Sequence, residues 1–595
     1  MILLATESRG GDVNAEPGPD TRWTPVIRRR EVVNEAALPA DLPRVLRRVY
    51  AARGVTDGAE LERSLNGMIP PDRMTGAREA ARLLADLIER GGRLLVVGDF
   101  DADGATSCAL CLLAIRAMGH AEVDFLVPNR FDYGYGMTPE IVELARERAP
   151  DLILTVDNGI SSIAGVAAAN AAGIPVIVTD HHLPGSALPT AAAIVNPNAP
   201  DNEFPSKAAA GVGVAFYVLL ALRAELQRRG WFEGRGLRPP NMAQFLDLVA
   251  LGTVADVVPL DRNNRILVHQ GLMRIRAGDC RPGILALLEA AGRDHRRVQA
   301  ADMGFAVGPR LNAAGRLDDM TRGIACLLAE SIEEARPLAR ELDGLNRDRR
   351  RIEQEMQEEA ERILAGWLAD EDSLAWGLCL FREDWHQGVI GILASRIKER
   401  YHRPVIAFAA AGDDTLKGSA RSIPGLHIRD ALDRVAARHP RLLQKFGGHA
   451  MAAGMSIARE DFEAFSRAFD EVVRELLDPE ALQPLVDSDG AIPAEELNLE
   501  TARLIADAGP WGQAFPEPLF DDCFEIRSGR IVGERHWKLL LHHPESGQSI
   551  DGIAFNAVER HPRLPQRARV AYRLDVNEWR GQVALQLRIE HMEPA

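Results

Sequence analysis

Long apolar runs, abundant cysteine and an excess of basic charge are all missing from this 595-residue sequence. No stretch approaches the roughly 18 consecutive apolar residues of a membrane span. The opening MILLATESRGG has neither the basic region nor the apolar core of an export signal, so the cytoplasm is the expected compartment, with no membrane partner. The six cysteines (Cys108, Cys111, Cys280, Cys326, Cys379 and Cys523) are too scattered for a disulfide framework and fit a reducing compartment. Cys108 and Cys111 have CxxC spacing, but no second pair accompanies them and TSCALCLLAI reads as a buried helix. Small-residue packing therefore outranks zinc or redox chemistry there. A formal net charge of −16 argues against a nucleic-acid partner held by bulk electrostatics and leaves room only for a local basic channel.

What is present is ordinary globular composition, 46% apolar and 26% charged, in a chain long enough for three or four domains. Residues 9–20 read as disordered. From about residue 90 to 195, GRLLVVGDF, EVDFLVPN, DLILTVDNG and IPVIVTDHH alternate with helix-like segments, the rhythm of a parallel sheet covered by helices. Ser331 and Glu334 have capping-box spacing and open a long connecting helix, weakened at Gly344 and interrupted along its apolar seam by RDRRR. A second α/β segment follows, then five strand-like runs from FEIRSGRIVG to GQVALQLRIEHM that suggest an OB-like barrel. The expected fold is α/β: two lobes joined by a long helix, plus a C-terminal β-barrel. The expected divisions are an N-terminal segment 1–40, a first α/β domain 41–330, the helix 331–370, a second α/β domain 371–478 and a barrel domain 479–595.

The segment VVGDFDADGATS places Asp99, Asp101 and Asp103 within five residues. An EF-hand loop counted from Asp99 requires a bidentate Glu at position 110, which is Leu, and the preceding segment is strand-like rather than helical. The run instead sits at the C-terminal end of a buried strand and enters a helix through Gly104. Two further strands end alike: LILTVDNG delivers Asp157, and IPVIVTDHH delivers Asp180, His181 and His182. Parallel strands bring those ends to one sheet edge, where open α/β folds bind ligands. Asp256, in GTVADVVP, is a further candidate. Crowded carboxylates repel one another without cations. Oxygen donors with imidazoles and no thiolate suit Mn²⁺ or Mg²⁺, and so many carboxylates imply two ions, the arrangement that hydrolyses phosphoesters.

These residues carry a resemblance. DFDADG, VDNG and TDHH, with the later Asp256, resemble the motifs of the DHH phosphoesterase superfamily, and GGHAMAAG (Gly447–Gly454) resembles its DHHA1 companion domain. NRFDYGYG, GPRLNAAGR, WHQGVIGILASRI and KGSARS, followed by a barrel, are similar to the bacterial RecJ family of single-strand-specific 5′→3′ exonucleases. The resemblance implies DHH and DHHA1 lobes with an OB-like domain, and degradation of single-stranded DNA to 5′-mononucleotides in recombination and repair. It implies a monomer with single-stranded-DNA-binding protein and a RecQ-type helicase as partners. Asp101, Asp103, Asp157, His181 and Asp256 match the family's metal ligands, with Asp99 and His182 as near-site acid and base or supporting groups. Arg130, Ser419 and Arg421 match a pocket for the 5′-terminal phosphate. Arg316 is expected on a backbone phosphate, with Arg310 in support, and His386 and His449 lining the cleft. Two other readings stay open: a superfamily relative acting on short oligonucleotides or cyclic dinucleotides, and a DNA-binding scaffold with a decayed site. Tyr133 and Tyr135 read equally as base-stacking or turn-packing residues, and His542 and His543 as surface histidines.

Overall fold

Runs of Leu, Ile and Val without polar alternation need apolar cover on both faces, and the first half of the chain supplies it. The computed structural model describes residues 25–129, 136–368, 375–412, 414–579 and 581–595. The expected disorder at 9–20 and the residues Arg130, Tyr133 and Tyr135 lie outside these. A short strand β1 (Val26–Arg29) precedes a parallel sheet of β2 (Leu94–Gly98), β3 (Val123–Leu126), β4 (Leu152–Val156), β5 (Val176–Thr179) and β6 (Ala193–Val195), in the order β3-β2-β4-β5-β6. Every residue of β2, β4 and β5 is buried. Leu95, Val97, Ile153 and Val178 pack with Ile141, Val142 and Val166 of the covering helices.

The chain leaves β2 for β3 on one side and β4 for β5 on the other. The C-terminal ends of β2 and β4 therefore flank the point where the winding reverses, the crevice in which such sheets bind ligands. Helices α1 (Ala102–Ala117), α2 (Gly211–Arg228), α3 (Leu246–Ala255) and α4 (Gly308–Leu317) close around that crevice. Cys108 and Cys111 are buried in α1, without a second pair.

The contacts divide the chain into two units. One is Glu31–Glu359 with a late segment, Leu504–Pro518. Phe515 and Trp511 of that segment stack at 5.2 Å, and Trp511 stacks on Tyr50 at 5.9 Å. The Tyr50 hydroxyl donates to Ala508 O at 2.8 Å, and the Arg265 guanidinium lies 4.2 Å from the Phe515 ring centre. The other unit holds the segment ending at Arg30, Ala360–Arg503 and Leu519–Ala595. The long helix α5 (Ile332–Leu368) continues through Gly344 and carries Pro337 near its start. Glu334 N donates to Ser331 Oγ at 3.2 Å, while the Glu334 carboxylate reaches back to Glu330 N rather than to Ser331 N. Within RDRRR, Arg349 turns inward, where Glu353 meets it at 2.8 Å.

In the second unit, β7 (Leu378–Phe381), β8 (Val405–Ala410), β9 (Thr415–Arg421), β10 (Lys445–Gly448) and β11 (Ala452–Ala458) form a sheet in the order β10-β11-β9-β8-β7. Helix α6 (Ile390–Tyr401) follows β7. Strand β9 alternates: Leu416, Gly418 and Ala420 are buried, while Lys417, Ser419 and Arg421 take the other face. Strand β12 (Leu485–Ser488) pairs in parallel with β1. Strands β13 (Phe520–Val532), β14 (His536–His542), β15 (Ser549–Ala554), β16 (Arg567–Trp579) and β17 (Gln582–Pro594) then close a barrel in the order β13-β14-β15-β17-β16, with β15 and β17 parallel. This is the expected five-stranded OB-like barrel. Asp521, buried in β13, fastens the neighbouring strands: Arg29 donates to it at 2.9 Å, Arg569 at 2.9 Å, and the Ser488 hydroxyl also donates. The expectation for His543 is corrected. It is buried, edge-on to Phe524, with Nε2 3.6 Å from Asp522 Oδ2, because the residue after β14 turns inward where its neighbour His542 does not.

Candidate active site

Each carboxylate at the crevice is set by the end of a secondary-structure element. Asp101 is the N-cap of α1, its Oδ1 accepting from Asp103 N at 2.9 Å and Gly104 N at 3.0 Å. Asp103, in the first turn of α1, accepts from the first amides of α2, Gly211 N at 2.6 Å and Val212 N at 2.9 Å. Two helix N-termini thus face these acids, with the positive ends of their dipoles inward. Asp157 follows β4 in the left-handed region, φ 61°, unusual outside glycine and asparagine. The Asn158 amide beside it donates to Val97 O at 3.1 Å and Val156 O at 2.9 Å, clamping the ends of β2 and β4 together.

Asp180, after β5, is an organiser. Its carboxylate accepts from Ile160 N at 2.9 Å, His181 N at 2.7 Å and His182 N at 3.1 Å, and lies 2.7 Å from His182 Nδ1. With Nδ1 held, His182 turns its other ring nitrogen away from Asp180. Asn198 and Asn196 donate to the His181 and His182 carbonyls at 2.6 and 2.9 Å. His181 Nε2 then lies 3.1 Å from Asp157 Oδ1, 3.4 Å from Asp256 Oδ2 and 4.0 Å from Asp103 Oδ2. Asp256 is the C-cap of α3.

Three overlapping groups of ligand atoms each fall within 4.8 Å: Asp99, Asp101 and Asp157; Asp157, His181 and His182; Asp103, His181 and Asp256. The structure therefore brings together seven of the acids and imidazoles singled out in the sequence, with Asp157 and His181 shared between groups, and Asp180 stands behind His182. Burial, then the charge of Asp101, pushes the Asp103 carboxyl up to about 7. Burial and the neighbouring aspartates hold Asp157 and Asp256 well above the usual carboxylate range. Burial opposes charge on His182, but Asp180 outweighs it and raises the imidazole to about 9, while His182 in turn keeps Asp180 low despite its own burial. Asp256 Oδ2 is buried and, beyond its 3.4 Å approach to His181 Nε2, accepts no hydrogen bond among the described residues. An all-oxygen-and-imidazole donor set without thiolate, strained by its own charge, fits hard divalent cations.

The geometry adds residues to which the sequence had given no role. Asn312 Oδ1 accepts from Ala102 N at 2.7 Å, and a Cβ on Gly315 would lie 1.7 Å from Phe100 O, so α4 is pressed against the aspartate loop. A Cβ on Gly211 would lie 2.6 Å from Asp157 Oδ1. Only the packing partner shows why a side chain cannot fit at either glycine. Arg316 follows Gly315 and is half-buried. Arg310 is buried and turned into the protein, donating to Asp343 Oδ1 at 3.0 Å and Ala306 O at 2.7 Å.

In the other unit, Arg421 Nη1 donates to Ser419 Oγ at 3.1 Å and Ala420 O at 2.8 Å. A Cβ on Gly391, in the first turn of α6, would lie 2.9 Å from both Arg421 Nη2 and Ser419 Oγ. Ser419 and Arg421 thus sit together against a helix N-terminus. His386 Nδ1 accepts from Gly388 N at 3.0 Å, and His449 is exposed at the end of β10. Arg130 lies outside the described residues.

Comparison with known proteins agrees with this architecture. The DHH family, N-terminal domain, matches residues 93–253, the DHHA1 domain 375–475 and the RecJ OB domain 488–591. The single-stranded-DNA-specific exonuclease RecJ of Salmonella typhimurium is 57% identical over 570 residues, covering 96% of this chain and 99% of its own. The crystal structure of RecJ in complex with Mn²⁺ from Thermus thermophilus superposes with a TM-score of 0.78 at 32% identity, covering 95% of this chain and 79% of that one. The Mg²⁺ complex from the same organism gives 0.73 at 30% identity, with 95% and 78% covered. With the DHH, DHHA1 and RecJ OB domains in that order and a relative 57% identical over nearly the whole length, this chain belongs to the RecJ family of single-stranded-DNA-specific exonucleases.

Proposed function

We propose that this chain degrades single-stranded DNA from the 5′ end to 5′-mononucleotides, using two divalent cations, Mn²⁺ or Mg²⁺, held in the carboxylate cluster. One observation carries the reading: five aspartates and two histidines converge at the reversal point of the sheet in overlapping ligand groups. Asp101, Asp103, Asp157, His181 and Asp256 are the metal ligands. Cations bound there would supply Lewis acidity for an in-line displacement at phosphorus. Asp180 orients His182, which with Asp99 is placed to hold and move a proton beside the ligands. Ser419, Arg421 and Arg130 take the 5′-terminal phosphate, and guanidinium forks suit that bidentate task. Arg316 takes a backbone phosphate, and His386 and His449 line the substrate path. Arg310, engaged by Asp343, supports Arg316 through the helix rather than by touching DNA. Residues 41–330 form the DHH domain, 331–370 the connecting helix, 371–478 the DHHA1 domain and 479–595 the OB-like domain. The setting is recombination and repair in the cytoplasm, as a monomer, with single-stranded-DNA-binding protein and a RecQ-type helicase as partners.

End-labelled linear single-stranded, duplex and circular DNA, each with Mn²⁺ or with chelator, tests this. Release of labelled mononucleotide from the linear single strand alone, starting at the 5′ label and only with metal, is expected. Turnover in chelator, or equal attack on circles, would overturn it. The packing of α4 gives a second expectation. Gly315→Ala forces the Phe100 carbonyl, and with it Asp101 and Asp103, out of place, and the single-turnover rate falls ~100-fold, as misplacement of about 1 Å does. Gly344→Ala, with nothing within 4 Å of its Cβ, serves as the control with an unchanged rate.

A further inference from the structure

The helix that carries Asn312 and Gly315 begins with a wider winding. Met303–Val307 form a π-helical turn, a feature that accommodates an extra residue and recurs at functional sites. The turn is packed on the end of α3: the Cβ position of Gly304 is 3.4 Å from Val254 Cγ1, and that of Gly308 is 3.0 Å from Ala255 Cβ. Asp256 is the next residue of that chain segment. Met303, Ala306 and Val307 are buried, yet Phe305 among them is 81% exposed, the most exposed of the large hydrophobics among the described residues. Val257, following Asp256 at φ 63°, is exposed as well. The fold gains nothing from an aromatic ring left in water.

Pro309, Asn312 and Arg316 are three and four residues apart and share one stripe of the helix, and with Gly304 and Phe305 they are the residues of 303–316 that are not buried, so Phe305 lies on the same open side. Asn312 touches the aspartate loop through Ala102 N, so the stripe faces the carboxylates. Phe305 and Arg316 stand at the two ends of that side, at least ~12 Å apart from the α-helical steps between Gly308 and Arg316 at ~1.5 Å per residue. One nucleotide cannot reach both.

We propose that Phe305 stacks on a base of the DNA strand that stays bound after cleavage. The inference rests on the exonuclease reading above. In that reading a single nucleotide lies on the 5′ side of the scissile bond and Arg316 holds a phosphate near it. A contact further along the stripe therefore falls on the retained strand. An aromatic face accepts any base, as a nuclease without sequence preference requires.

Phe305→Ala is expected to raise KM for a long single strand about tenfold, with kcat within about twofold and an unchanged thermal midpoint, while Phe305→Trp keeps the wild-type KM. Substrates carrying one abasic residue at successive positions locate the contact. At one position the wild type loses the same factor, and there the wild type and Phe305→Ala coincide. Unchanged KM and kcat for Phe305→Ala, or an identical abasic profile in both proteins, would overturn the inference. An exposed ring serving a protein partner instead would give that unchanged result on naked DNA. A wild-type chain inert on single-stranded DNA with Mn²⁺ removes both this inference and the exonuclease reading. An active wild type with an indifferent Phe305→Ala removes this inference alone.

Discussion

Asp157→Asn lowers hydrolysis of single-stranded DNA by at least ~10³-fold and raises the melting temperature of the metal-free protein. The first effect follows from removing a charged ligand shared by two of the three ligand groups, since several kcal/mol of charge stabilisation at phosphorus corresponds to about three decades of rate. The second follows from burial: the Asp157 carboxyl lies among like charges that hold it well above its ordinary pKa, and a neutral amide of the same shape relieves that repulsion. Asparagine also tolerates the left-handed backbone at this position, so the substitution adds no strain. Thermal melts with and without Mn²⁺ distinguish the effects, because the stabilisation by metal seen in the wild type shrinks in the variant. Hydrolysis within tenfold of wild type, or an undiminished Mn²⁺ shift, would remove Asp157 from the ligand set. Asp103 is a poorer test. Its loss strips the acceptor from Gly211 N and Val212 N, each costing about 1–3 kcal/mol when left buried and unpaired, and so mixes folding with catalysis.

Arg421→Ala raises KM about 100-fold for strands with a 5′ phosphate and far less for strands with a 5′ hydroxyl. The guanidinium already lies on Ser419 Oγ beside the open Cβ position of Gly391, so the side chain is held in place before an anion arrives. Two charge-assisted hydrogen bonds to a phosphate are worth about 3 kcal/mol together, which sets the factor. Arg421→Lys, which keeps the charge but loses the planar fork, falls between. Steady-state kinetics on matched strands differing only at the 5′ terminus decide it. Equal effects on both ends would reject end-sensing by Arg421.

Where local chemistry carried the information, the sequence was legible. Parallel strands buried on both faces announce themselves as unbroken Leu, Ile and Val, and acids placed after such strands must gather at one edge, whatever the loops do. Asp99, Asp101, Asp103, Asp157, His181 and His182 were therefore readable as a cluster, and the five barrel strands as a barrel. His543 was misread because its burial depends on which way the chain turns after β14, not on its neighbours in sequence.

The glycines of α2 and α4 were not readable for a related reason. Nothing local to Gly315 or Gly211 says that a carbonyl 215 residues earlier in the chain, or a carboxylate on another strand, occupies the space of the missing Cβ. The same holds for the Asp343 partner of Arg310, the residue expected in support of Arg316, and for Leu504–Pro518, which packs on Tyr50 far away in sequence. Hydrophobic period and residue chemistry act over a few residues, so the order of residues alone determined the strands, the helices and the kind of cation the cluster suits. Close packing acts between segments hundreds of residues apart, so only the tertiary structure decided which side chains hold the aspartate loop in place and which aromatic was left facing the solvent.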